Sequence, residues 1–352
     1  MRFIGTIMIM LYHISLSNKG KLSAYTFGGY IFVDFFFIIS GYLMANSMEK
    51  EKEKKENNSL GIETIRFLIH KAIGIFPFYF SAWLLILIIN VWIDHYSVYQ
   101  TLHTLLLSLY NIFMIEMAGN YDMGLRIQGS WYISAMLIAI FILYPIRKRY
   151  KDMFDFYFSP LLFLFFIGYV YQGKKGIAPL VVGFDSSIHM YNGLLRGIVE
   201  IALGCSCFRI AKKIKDKNFT KTGKLLITML EWGGYLLALY SIHRYYNSSW
   251  DLILILFFAI SISISFSQKG LLFPFFQRSL FNRIGDFSLK MYLMHEIVKN
   301  KLLPFHNINI ETVGCLKYYL IFFLITFFCA LICNKMGIFI KHKCKFFLFQ
   351  KI

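Results

Sequence analysis

The sequence predicts an all-α, polytopic membrane protein with ten transmembrane helices plus one interfacial or re-entrant helix. Three observations predict it. The 352 residues are 57% hydrophobic and 19% aromatic, with a mean hydropathy of +0.57. Only 16% are charged, where soluble domains carry about a quarter. Apolar runs of about 20 residues recur from end to end, the length that carries a helix across a bilayer. The alternating segments of about ten residues that mark a membrane barrel are not found.

The elements follow in order. Helix one covers about Phe3 to Leu16, short for a span, and a polar turn follows from Ser17 to Thr26. Its start lacks a basic n-region and an A-x-A-like cleavage site, so it is expected to be retained. Helix two runs from about Phe27 to Met48. A cytoplasmic loop is expected over 48–71, with Glu49 to Asn58 dense in Lys and Glu. Helix three covers about Ala72 to Ile93, with Pro77 in its first turns. Thr101 to Met117 is apolar but short, and it carries His103 and Asn111. If it lies at the outer interface or re-enters, every strongly basic loop falls inside, as the positive-inside rule asks. The remaining spans are about Trp131 to Ile146, Phe158 to Tyr171, Leu194 to Ile210, Leu225 to Ile242, Leu252 to Ser267, Ile284 to Leu303 and Leu316 to Cys333. A basic cytoplasmic tail, 335–352, closes a single membrane domain, 1–352. Both termini are then cytoplasmic, in the inner (cytoplasmic) membrane of the cell.

The formal charge of +18 does not signal nucleic acid. Its Lys and Arg residues sit in short loops between apolar runs and in the tail, as cytoplasmic loops do. The six cysteines suggest no disulfide framework; most lie in apolar runs and read as reduced packing residues. No His-x-x-x-His spacing occurs, so no metal is expected.

An ionisable side chain inside a membrane helix is costly and is a functional candidate by default. Arg2 and His13 are eleven residues apart. At about 100° per residue they return to within roughly 20° of one helix face, with a rise of about 16 Å. One face can then hold a cation near one membrane surface and an imidazole near mid-bilayer. Asp34 lies on the next helix, where it fits either a carboxylate that orients an imidazole or the partner of a buried Arg. Arg196 and Glu200, at i and i+4, also fit a helix ion pair. Trp131 also fits an aromatic-belt anchor, and Ser40-Gly41 fits small-residue helix packing.

Four runs carry a resemblance: Arg2-x10-His13; Asp34-Phe-Phe-Phe-Ile-Ile-Ser40-Gly41-Tyr42; Trp131-Tyr132-Ile-Ser134 with Tyr144-Pro145; and Gly285-Asp-Phe-Ser288-x3-Tyr292-Leu-Met-His295. In this order, over most of the chain, they resemble the membrane-bound acyltransferase 3 family, many of whose members O-acetylate surface polysaccharides. Two positions depart from its pattern. Lys71 and Gly74 stand where the family has Arg-x-x-Arg, and Met136 stands where many members carry Glu. Lys keeps a charge but not the bidentate fork of Arg.

The resemblance implies transfer of an acetyl group from acetyl-coenzyme A to a hydroxyl of a cell-surface or exported polysaccharide. The partners are then an acyl-coenzyme A, a glycan acceptor and the bilayer, with no tightly bound cofactor. His13 is expected as the base that takes the hydroxyl proton, or as a transient acyl carrier. Asp34 and His295 join it as catalytic candidates. Arg2 and Lys71 are expected to hold the donor's phosphates, with Ser40 and Gly41 letting backbone pass close by. Trp131, Tyr132, Arg196, Glu200 and Tyr292 are the candidates for the acceptor. The competing class is a transporter or flippase of a lipid-linked sugar. That class predicts inverted repeats or paired broken helices, and neither is found.

Overall fold

The structure is a computed structural model that describes residues 1–17, 27–52, 59–119, 124–173, 183–186, 188–242, 244 and 248–348. It is nearly all-α. The main helices are α1 (Arg2–Ser17), α2 (Phe32–Lys52), α3 (Leu60–Ile93), α4 (Val98–Leu107), α5 (Trp131–Arg149), α6 (Ser159–Gly173), α7 (Asn192–Lys215), α8 (Lys221–Ser241), α9 (Trp250–Ser267), α10 (Ser279–Ile297) and α11 (Cys315–Leu348). A two-residue antiparallel pair, Phe184–Asp185 with Met190–Tyr191, interrupts the helical pattern. It falls in the expected outer loop Gln172 to Asn192, about half of which lies outside the described residues. The polar turn after α1 lies outside them too, beyond Ser17.

Six helices among the described residues are long and apolar enough to cross a membrane: Phe27–Lys50, Leu60–Ile93, Trp131–Arg149, Lys151–Gln172, Trp250–Ser267 and Cys315–Lys343. The expected ten are not reached by length and apolarity alone, for physical reasons. The helix α1 is too short, with 16 residues. The helices α7, α8 and α10 are long enough but carry charge: Arg196 and Glu200, then Lys224 and Glu231, then Asp286, Lys290 and Glu296. The ten residues of α4 span about 15 Å, half a hydrocarbon core. A Ser97–Gln100 capping box starts it. None of its residues is buried, and its flank of Val98, Tyr99, Leu102 and Leu106 faces outward, as an interfacial helix requires.

Two expected loops prove largely helical. In the 48–71 stretch, α2 continues to Lys52 and α3 begins at Leu60, leaving 53–58 outside the described residues. The basic tail continues α11 as far as Leu348. Lys and Glu are good helix formers, and a propagating helix adds a hydrogen bond for each residue fixed.

The chain divides into two units, with boundaries inside α1, α3, α5 and α10. The first comprises Met1–Thr6, Ile69–Ser134 and Arg283–Ile352, and the second Ile7–Leu68 and Ala135–Asn282. In the second, α2 and α7 meet backbone to backbone. A Cβ on Gly41 would sit 1.9 Å from the Ile201 carbonyl oxygen, and one on Gly204 would sit 2.1 Å from that of Ile38. Only glycine fits, as in small-residue membrane packing. Arg147 is buried at the end of α5 and donates through Nε and Nη2 to both oxygens of Asp155, 2.8 Å each. In the first unit, Phe78 packs on Gly337 of α11, and Cys333 Sγ donates to the Phe78 carbonyl at 3.3 Å. Cys205, Cys207, Cys315, Cys329 and Cys333 are free.

Candidate functional site

In the second unit, the buried charge centres on α2 and α7. Asp34, Arg196 and Glu200 are all completely enclosed. Arg196 Nη2 donates to both Asp34 oxygens at 2.8 Å, and Nε reaches Oδ1 at 3.2 Å. Its Nε lies 3.9 Å from Glu200 Oε1, so the strong pairing runs between helices rather than along α7. Asp34 is therefore the partner of a buried Arg, one of the two roles that its place in the sequence fits. The pair belongs to the charge-assisted, bidentate class. It joins the two helices whose glycines touch, so the register of α2 against α7 is fixed twice.

Ser40 donates to the Phe36 carbonyl at 2.8 Å, a bond back along its own helix. Gly41 is the point of closest approach to α7. Packing accounts for both residues without a ligand. His13 is half-buried on α1. Its ring stands edge-on to Tyr12, with centroids 5.2 Å apart, and Tyr12 in turn packs on Tyr30.

In the first unit, the late run of α10 is the organising element. Arg2 pairs with Asp286, Nη2 to Oδ1 at 3.2 Å, with both side chains well exposed. The guanidinium lies on the bare backbone of Gly285, where a Cβ would come within 3.0 Å of Nη2. That contact gives the glycine of the run a reason. Two turns on, the Tyr292 hydroxyl donates to the Gly129 carbonyl at 2.7 Å. Gly129 has φ +91, a conformation that favours glycine. His295 is fully enclosed. Its Nδ1 bonds the Tyr292 carbonyl, and its Nε2 lies 3.6 Å from Glu296 Oε1. Glu296 Oε2 accepts from Lys299 and Asn300, each at 2.9 Å. Asn300 also donates to Gln128 at 2.6 Å.

Trp131 is buried at the start of α5 and Tyr132 is half-buried. Lys71 is half-buried on α3, and the space around Gly74 is empty to 4 Å. Lys290 donates to the Asp286 carbonyl at 2.7 Å and lies 4.0 Å over the Phe78 ring.

Asp286, Glu296 and Glu116 are not among the residues that the sequence singles out. Asp286 stands inside a recognised run and Glu296 directly follows it, so both were within reach. Glu116 carries no motif. It is buried in the short turn Glu116–Ala118, where its Oε1 accepts from Ser130 Oγ at 2.6 Å. Burial pushes its carboxyl up to about 7, against the Ser130 hydrogen bond and the Arg126 charge. Both units thus enclose polar groups, an arrangement costly in a membrane protein unless it is used.

A family model described as an acyltransferase domain matches residues 1–335. A candidate O-acetyltransferase of Staphylococcus aureus (strain COL) is 25% identical over 216 residues, 56% of this chain and 33% of that protein. Its counterparts in strains MSSA476 and MRSA252 match with the same figures. The match therefore spans one third of the length of these relatives, 33%. No solved structure matches the chain.

Proposed function

We infer that this chain, which belongs to the acyltransferase 3 family, is a membrane O-acyltransferase. It moves an acetyl group from acetyl-coenzyme A to a hydroxyl of a cell-surface or exported polysaccharide. One observation carries the reading: a family model covers residues 1–335, and Arg2 and His13 share one unbroken helix inside that range. The names of the S. aureus relatives support acetyl as the group moved.

His13 takes the proton of the attacking hydroxyl, or carries the acyl group for a moment. Imidazole titrates in the range that proton transfer near neutral pH needs. Arg2 and Lys71 hold phosphates of the donor at the cytoplasmic side. Arg2 suits this because it is well exposed and held in place by Asp286. His295, Tyr292, Trp131 and Tyr132 serve the acceptor. Arg196 and Glu200 act through the shape of the α2–α7 pair. The remaining charged helices α7, α8 and α10, with α1, complete ten crossings in the inner membrane, both termini cytoplasmic. Membrane helices that line an enclosed polar site carry charge of this kind.

Replacing His13 with Ala tests the reading. Acetyl incorporation into envelope glycan, measured by mass spectrometry in cells carrying the variant, is expected to vanish while the protein still inserts. Normal acetylation by an inserted His13→Ala protein overturns the base assignment.

A further inference from the structure

Glu116 is among the buried titratable groups that the proposed chemistry leaves unused. Glu116 is 1% exposed. One of its oxygens accepts from Ser130, and the other, Oε2, is enclosed with no hydrogen-bond partner. A half-satisfied buried carboxyl is costly, and it persists where the surrounding structure holds it. The titratable groups that face it are Tyr79, from α3, and Arg126, from the stretch ahead of Ser130. The Tyr79 hydroxyl donates to the Asn111 carbonyl at 2.8 Å and lies against Ser130.

Ser130 leads further. It directly follows Gly129, whose carbonyl accepts the Tyr292 hydroxyl. The carbonyl of Tyr292 holds Nδ1 of His295. A chain of contacts within one unit therefore runs from a carboxyl through a turn to an imidazole. We propose that Glu116 is a positioning residue, fixing the Gly129–Ser130 turn and through it the Tyr292 hydroxyl and the His295 ring. This rests on the reading that the Tyr292–His295 run serves acyl transfer. An ionised carboxylate accepts a stronger hydrogen bond than a neutral acid, so the turn is held tightest when Glu116 is charged. Its carboxyl is raised to about 7. The proton stays on below that value and leaves above it, so transfer gains from this group as pH rises through neutrality.

The test uses the full-length protein in two arms. Infrared difference titration follows the protonated-carboxyl band. In the wild type it is expected to titrate at about 7, to be absent in Glu116→Gln, and to shift its midpoint by about half a pH unit or more in Tyr292→Phe. A midpoint in the ordinary carboxylate range, or one unmoved in Tyr292→Phe, overturns the proposal. The second arm measures acetyl transfer from acetyl-coenzyme A in membranes across neutral pH. Glu116→Gln is expected to keep its rate within about threefold and to lose only the Glu116 share of the rise near neutrality, leaving the rise that the His13 base supplies. A profile that Glu116→Gln leaves unchanged while His295→Ala alters it overturns the positioning role. Should the infrared coupling hold while both Glu116→Gln and His295→Ala leave the transfer profile unchanged, the failure lies with the functional reading of the run.

Discussion

Asp34 and Arg196 show why a residue's chemistry cannot be assigned from its type alone. A carboxylate in a membrane helix is expensive, and pairing makes it tolerable without making it reactive. Both Asp34 oxygens are taken by one guanidinium. Removing the carboxylate leaves that guanidinium uncompensated in a fully enclosed place. Asp34→Ala is therefore expected to destabilise by about 3–5 kcal/mol, with Asp34→Asn costing less because one hydrogen-bond acceptor survives. Thermal unfolding of the detergent-purified variants measures both. Equal, small shifts would show that the pair contributes little. Asp34 was legible in the sequence as a functional-or-structural choice, since it is ionisable within an apolar run. Its partner was not, because 162 residues separate the two and no spacing rule joins them. Glu116 was invisible for a different cause: a single acid in a short turn looks solvated until its burial is known.

Helices were the most legible part, because an apolar run of bilayer length has few other fates. Their ends were not. The stretch before Ala72 and the tail after Cys333 are rich in Lys, which favours helix as readily as it marks a loop. The helix contacts also differ sharply among glycines that look alike in the sequence. A Cβ at Gly41 would strike backbone of α7, while one at Gly74 would meet nothing within 4 Å. Gly41→Ala is expected to cost about 1–3 kcal/mol or to block accumulation of folded protein. Gly74→Ala is expected to gain about 0.5–1 kcal/mol, since alanine is the better helix former. Melting temperatures of the two variants side by side check this. A Gly41→Ala protein as stable as the wild type would mean that α2 and α7 can slide apart without loss.

For the whole molecule, the question is how many times the chain crosses. Among the described residues six helices qualify by length and apolarity, and the charged helices decide the rest. The ten-crossing arrangement places the basic end of α5, Arg147 to Arg149, in the cytoplasm. A reporter fused after Lys151 is expected to signal cytoplasm, and an external signal would overturn the count. Arg147 bonds Asp155 across that stretch, so the reporter is inserted with the chain after Lys151 retained, which keeps the pair intact.

The helices differ widely in reach. At 34 residues each, α3 and α11 are about 51 Å long, well beyond the roughly 30 Å of hydrocarbon they would have to traverse. At 19 and 18 residues, α5 and α9 measure about 28 and 27 Å and have no length to spare. Fatty-acyl chains of increasing length would leave the long rods indifferent and stretch the short ones first. The chain's tolerance for a thick or sterol-stiffened host membrane is thus set by its two shortest qualifying spans, and Trp131, at the head of one of them, would be among the first residues to feel the strain.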